Sequence, residues 1–244
     1  MILALDIGNS NITAGIFTGP KLVKTFRAPS NLSSYSAFVK KFAKSGIKGI
    51  IIASVVPNTT KRVVRDIKKT YPNIKPMVLG LNCIVPIKNR CRHPLKVGQD
   101  RLVNAYAAIK LYGFPAIIID FGTAVTIDVV SKKKEFMGGM ILPGLQSALN
   151  AMQKQTALLP AVSLSKPSSL IGKDTKNAML SGIINGYACM TDGLIFRLKN
   201  EISKKSRVIG TGGHINFIKP YCKRIALADP QLTLKGLNMI YSNI

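Results

Sequence analysis

Tryptophan is absent from this 244-residue chain, histidine occurs twice, cysteine four times, and Asp and Glu together only ten times. Cys83, Cys91, Cys189 and Cys222 form no C-x-x-C pair, so they read as buried or incidental thiols in a reducing compartment. Cys91 lies near His93, but with His214 as the only other histidine a zinc site is not indicated. No apolar run reaches the roughly 18–20 residues of a membrane span. Ile2 already begins a strand, with no basic segment of a signal peptide before it, so the expected location is cytoplasmic, without membrane association. No linker or low-complexity tract divides the chain. The 47% hydrophobic content is that of a soluble globular protein.

The shortage of acids leaves a net charge of +25. A basic surface attracts phosphate, which raises nucleic-acid binding as a possibility. The lysines are dispersed, however, and runs such as Lys132-Lys133-Lys134 are short and fall where loops are expected. No helix-turn-helix, zinc finger or aromatic RNA-binding signature accompanies them. The expectation is a solvated basic surface with no specific nucleic-acid partner. The few acids are more informative, because Asp6, Asp100, Asp120, Asp128 and Asp174 all fall inside motif-like stretches.

Two of those stretches share one grammar. Ile117-Ile118-Ile119-Asp120-Phe121-Gly122-Thr123-Ala124 reads as buried strand, tight turn and strand, and Leu3-Ala4-Leu5-Asp6-Ile7-Gly8-Asn9-Ser10 reads the same way. Each sets a carboxylate at the end of a strand and then a glycine that lets backbone N–H groups face outward. Such a hairpin can hold the phosphate end of a nucleotide and its cations. Two copies, each opening one half, predict an α/β protein of two duplicated domains, 1–113 and 114–244, with a nucleotide cleft between them. A third glycine cluster, Gly210-Thr211-Gly212-Gly213, follows a short strand and suits a close approach to a flat ligand such as adenosine.

Along the first half, a strand is expected over Lys21 to Phe26. A helix over Ser33 to Lys44 would bury Tyr35, Phe38, Val39 and Phe42. A buried strand over Gly49 to Val56 stops at Pro57, and Asn58 is the expected cap of the next helix. Strands near Val78 and Ile84 follow, then a helix from Arg101 to Tyr112. Asp100 precedes that helix and is either its N-cap or a proton acceptor beside Arg101. In the second half, a strand and glycine-rich turn over Phe136 to Gly144 lead to a helix from Leu145. Loop and strand cover Pro160 to Ser169. A long helix capped by Asp174 then carries a small-residue stripe of Ala178, Gly182 and Gly186, with Gly193 interrupting its pattern. A covering helix over Leu232 to Tyr241 ends the chain.

With "DIGNSNI", "ASVVP", "VGQDRLVNA", "IIIDFGTAVTIDVV", "GGMILPGL", "TALLP", "GKDT" and "GTGG" in this order, nearly the whole chain resembles the type III pantothenate kinases. These belong to the actin/Hsp70/hexokinase-like ATPase superfamily, whose halves are ribonuclease H-like. The resemblance implies ATP-dependent phosphorylation of pantothenate to 4'-phosphopantothenate, the first step of coenzyme A biosynthesis. It implies a first phosphate loop of Asp6, Ile7, Gly8, Asn9, Ser10, Asn11, Ile12 and Thr13, with Asp6 orienting magnesium. Gly98, Gln99, Asp100 and Arg101 would bind pantothenate, with Asp100 as proton acceptor. Asp120 would hold a monovalent cation, potassium or ammonium, while Thr123 would contact ATP and Thr175 pantothenate. A homodimer is also implied. The chain departs from the family at Gln99, usually alanine, at Lys96, usually acidic, and at Cys91, often aromatic. Another small-molecule kinase of the superfamily and a DNA-binding transcriptional accessory factor are the competing readings.

Overall fold

The computed structural model describes residues 1–42 and 46–243. The chain divides into two compact units, residues 1–110 with 231–244, and residues 111–230. In the first unit, β1 (Ile2–Ile7), β2 (Asn11–Thr18) and β3 (Lys21–Pro29) form an antiparallel meander. It is followed by α1 (Ser36–Lys40), β4 (Gly49–Ser54), α2 (Pro57–Thr70), β5 (Met77–Val78), β6 (Lys88–Asn89) and α3 (Gln99–Tyr112). The sheet order is β3-β2-β1-β4-β5, with β4 parallel to β1 and β5 parallel to β4. Ile50, Ile51 and Ile52 are all fully buried, as an unbroken apolar run in a central parallel strand requires. Leu3, Leu5, Ile50 and Ile52 share one core with Phe38 and Phe42, and with Val63 and Ile67 of α2.

The second unit repeats this plan. Its elements are β7 (Ala116–Phe121), β8 (Ala124–Val130), β9 (Glu135–Pro143), α4 (Leu145–Gln155), α5 (Thr175–Glu201), β10 (Arg207–Thr211), α6 (Ile215–Ile218) and β11 (Leu227–Ala228). They run in the order β11-β10-β7-β8-β9, again a meander joined by parallel strands. The register repeats as well. Asp6 pairs across the strands with Thr13, and Asp120 with Thr126. The expected duplication of an α/β half is therefore present strand for strand.

Several local expectations are corrected. The apolar face Tyr35, Phe38, Val39 and Phe42 is buried as expected, but the helix itself covers only Ser36–Lys40, and the last residues of the expected helix, 43–44, lie outside the described residues. Asn58 does not cap α2. Pro57 occupies the first helical position, where its missing N–H is no loss, so the helix begins before Asn58. Ile84 is 78% exposed and outside any strand, leaving only a lone bridge between Leu79 and Cys83. No strand forms over 160–169, and α5 runs unbroken through Gly193. A single glycine costs only about 1 kcal/mol in a helix interior, less than the packing of a 27-residue helix supplies.

The last correction concerns the C-terminus. The helix α7 (Leu232–Ser242) was expected in the second half, yet it belongs to the first unit. Gly236 packs so close to Val103 and Ala107 of α3 that a Cβ there would lie 2.7 Å from Val103 Cγ1. Asn238 Nδ2 donates to Gly19 O at 2.9 Å. Apolar residues Leu232, Leu234, Leu237 and Ile240 drive this return, and strand grammar carries no trace of it.

Candidate active site

The first hairpin is a clamped loop. Gly8 N–H donates to Asn11 O at 3.0 Å, closing the turn between β1 and β2. A Cβ on Gly8 would sit 3.3 Å from Asn11 O, so glycine serves close approach here. Ser30, just past β3, holds the loop from outside. Its hydroxyl donates to Gly8 O at 2.6 Å and its N–H to Ser10 O at 3.0 Å. Ser30 O in turn accepts from Tyr35 Oη at 2.6 Å and Thr59 Oγ1 at 3.2 Å. Asp6, Ile7, Gly8, Asn9, Ser10, Asn11, Ile12 and Thr13 thus belong to one braced element. Nothing in the local sequence marks Ser30, because the hairpin residues it holds, Gly8 and Ser10, lie 22 and 20 residues away.

The Gly98–Arg101 segment lies in the same unit. Val55 N–H donates to Ile7 O at 3.1 Å, and Val55 Cγ1 would lie 3.8 Å from a Cβ on Gly98. The two motifs, some ninety residues apart in sequence, are therefore linked through the end of β4. Asp100 sits inside the first turn of α3, which begins at Gln99, so it is not the N-cap. Its Oδ1 accepts the Arg101 N–H at 2.9 Å. Burial pushes the Asp100 carboxyl above its ordinary 3.8, while that N–H and the Arg101 charge oppose the rise. A carboxylate desolvated in this way is a better proton acceptor than an exposed one. The Gln99 side chain lies over Gly80, whose φ of +81° makes room for it, with Gln99 Cδ 3.3 Å from where a Cβ would stand. Lys96 is exposed in a 3-10 turn, and the Cys91 N–H donates to Asn89 Oδ1 at 3.0 Å.

In the second unit the Asp120 hairpin is one residue tighter, with Gly122 N–H donating to Ala124 O at 3.0 Å. Thr123 O accepts from Gly144 N–H at 3.0 Å and from Ser147 Oγ at 2.9 Å, which fastens the turn to the start of α4. The third glycine cluster closes over Asp120. Gly212 has φ +91°, and a Cβ there would lie 2.3 Å from Asp120 Oδ1. Thr175 is exposed at the first position of α5. The Asp174 carboxylate caps that helix by accepting Asn177 N–H at 2.8 Å, and this bond holds its carboxyl below the usual range. Asp6 and Asp100 therefore fall in one unit, and Asp120, Thr123 and Thr175 in the other.

The donor chemistry fits the ions that the resemblance implies. Magnesium that arrives on a triphosphate needs only one or two protein carboxylates, and Asp6, near the end of β1 before the hairpin turn, is a donor of that kind. Among the described residues, no group of three His, Cys, Asp or Glu forms a metal cage. Asp120, roofed by Gly212, offers a hard oxygen to a second cation.

Two sheets that share one five-strand order, each opening on an aspartate hairpin, define a protein of the actin-like ATPase fold. Solved structures agree. A protein from Sinorhizobium meliloti assigned as a 2-dehydro-3-deoxygalactonokinase matches with TM-score 0.65 at 13% identity, over 100% of this chain and 97% of that one. The activator of the 2-hydroxyisocaproyl-CoA dehydratase from Clostridium difficile, with bound ADPNP, matches with TM-score 0.54 at 13% identity, over 98% and 93%. Sequence narrows the class. The family model for type III pantothenate kinase matches residues 2–197. The type III pantothenate kinase of Bacillus cytotoxicus is 39% identical over 251 residues, covering 99% of this chain and 95% of the relative. The chain belongs to the type III pantothenate kinase family.

Proposed function

We propose that the chain transfers the γ-phosphoryl group of ATP to the primary hydroxyl of pantothenate, giving 4'-phosphopantothenate and ADP at the entry to coenzyme A synthesis. Family membership across residues 2–197 carries this reading. Three aspartates standing at the motif positions, Asp6, Asp100 and Asp120, support it. Phosphoryl transfer demands alignment and charge neutralisation more than a strong base. In this reading Gly98, Gln99, Asp100, Arg101 and Thr175 hold pantothenate. Asp100 accepts the hydroxyl proton as the oxygen attacks the γ-phosphorus and ADP departs. The Asp6–Thr13 loop, with Thr123, aligns the phosphates. A magnesium ion at Asp6 and potassium or ammonium at Asp120 would supply positive charge against the triphosphate.

The same reading makes the enzyme a cytoplasmic homodimer. Among the described residues no helix is long and apolar enough to cross a membrane. On α5, Gly182 and Gly186 have nothing within 4 Å of a Cβ position among the described residues, as a closely packing partner helix would need. The deciding experiment is a coupled assay of ADP release with ATP alone, with pantothenate, and with sugars or acetate as acceptors. Release that depends on pantothenate is expected. Release stimulated by another acceptor and not by pantothenate would overturn the assignment.

A further inference from the structure

We propose that Thr211 supplies a second oxygen ligand to the monovalent cation at Asp120, an inference that rests on the reading of Asp120 as the cation's ligand. Thr211 ends β10 and is the register partner of Asp120 on β7. Partners in register project to the same face of a sheet. The alternate residues Val208, Ile117 and Ile119 fill the core on the opposite face. On its other flank, Asp120 faces Thr126, and Thr126 Oγ1 already donates to Asp128 Oδ2 at 3.1 Å.

Thr211 is different. It is 1% exposed, and among the described residues its Oγ1 has no hydrogen-bond partner. Buried hydroxyls almost always have one, so an orphan beside a carboxylate points to a ligand. The chain then turns at Gly212, φ +91°, directly over Asp120 Oδ1, where any side chain would collide with the carboxylate. Carboxylate and hydroxyl thus share one face beneath a glycine roof. Both are hard oxygen donors, suited to potassium. A hydroxyl also has the lone pairs to accept an N–H from ammonium.

The test is thermal unfolding in potassium chloride and in tetramethylammonium chloride of equal ionic strength. It compares the unaltered protein with Thr211→Val, Thr211→Ser and Asp120→Ala. Potassium is expected to raise the melting temperature of the unaltered protein and of Thr211→Ser. Thr211→Val, which removes an unpaired buried hydroxyl, should melt at the same temperature or higher without potassium, yet lose the potassium increment. Thr211→Ala removes the hydroxyl with no added bulk and repeats the comparison. In turnover, the potassium concentration for half-activation should rise about tenfold or more in Thr211→Val, the scale seen when a supporting group at a metal site is lost. A full potassium increment in both Thr211→Val and Thr211→Ala would overturn the proposal while leaving Asp120 as ligand. Loss of an ATP-induced increment instead would assign the hydroxyl to the nucleotide and also overturn it. No potassium response in the unaltered protein, or a full one in Asp120→Ala, would overturn the cation reading itself and the proposal with it.

Discussion

Asp100 lies within the first turn of α3, where the helix end favours negative charge, yet burial drives its carboxyl upward. Replacing it by Asn keeps the shape and removes the charge. Turnover in Asp100→Asn is expected to fall at least about 100-fold with folding retained, the scale for losing a positioned base. The raised carboxyl also sets a pH signature. Activity should fall as pH drops through a value above 3.8, and this acidic limb should vanish from the residual rate of Asp100→Asn. Stability follows the opposite sign. Folded Asp100 keeps its proton to a higher pH than the unfolded chain, so its contribution declines as pH rises from 3.8 through the folded value. Urea titrations across that window should show the decline in the unaltered protein only. Ser30 offers a second single-residue test. Ser30→Ala removes the bond to Gly8 O and the brace on the phosphate loop. The Michaelis constant for ATP should rise more than that for pantothenate, with a stability loss of about 1 kcal/mol. Equal changes for both substrates would deny Ser30 a role in holding the loop.

The short helix α1 shows how an element can depend on its neighbour. Five residues cannot sustain a helix alone, and Tyr35 at its start provides no side-chain cap. Asp66 of α2 replaces that cap. Its carboxylate is 4% exposed and accepts the Tyr35 N–H at 2.9 Å and the Ser34 hydroxyl at 3.4 Å. Only one cation, Arg65, stands near it in an ion pair, at 3.6 Å among the described residues. In Asp66→Ala the Tyr35 N–H loses its buried partner, at a cost of about 1–3 kcal/mol. Chemical denaturation would measure it, and a loss under about 0.5 kcal/mol, the range of ordinary surface changes, would refute the capping role. The Tyr35 hydroxyl also braces Ser30, so the same substitution should weaken ATP binding, although Asp66 touches no part of the hairpin.

The excess of 25 positive charges belongs to the protein's entire surface. The exposed side of α2 alone carries Lys61, Arg65, Lys68 and Lys69, with Val64 between them. A charged face of this kind attracts polyanions without reading them. Duplex DNA is therefore expected to bind weakly, at about 10⁻⁴ to 10⁻⁶ M near physiological salt, independent of sequence and steeply reduced by added salt. Titration of unrelated duplexes at two salt concentrations checks this. A preference for one duplex that survives the higher concentration would favour a regulatory role.

Much of the site was legible because its chemistry is local. A carboxylate, a glycine and a strand on either side lie within a few residues, and that grammar placed Asp6 and Asp120 in the same register of two equivalent sheets. The order of motifs from the first hairpin to the final glycine cluster named the family. Helix ends were less legible, since Pro57 and Asn58 compete for one terminus and only the backbone decides between them. Contacts between distant segments were not legible at all. Ser30 on Gly8, Asp66 on Tyr35, the orphaned Thr211 beside Asp120 and the return of α7 to the first unit join residues tens to hundreds of positions apart. Sequence periodicity reports which face of an element is apolar; which partner covers that face, and which polar group is left inside, is decided by packing of the folded chain.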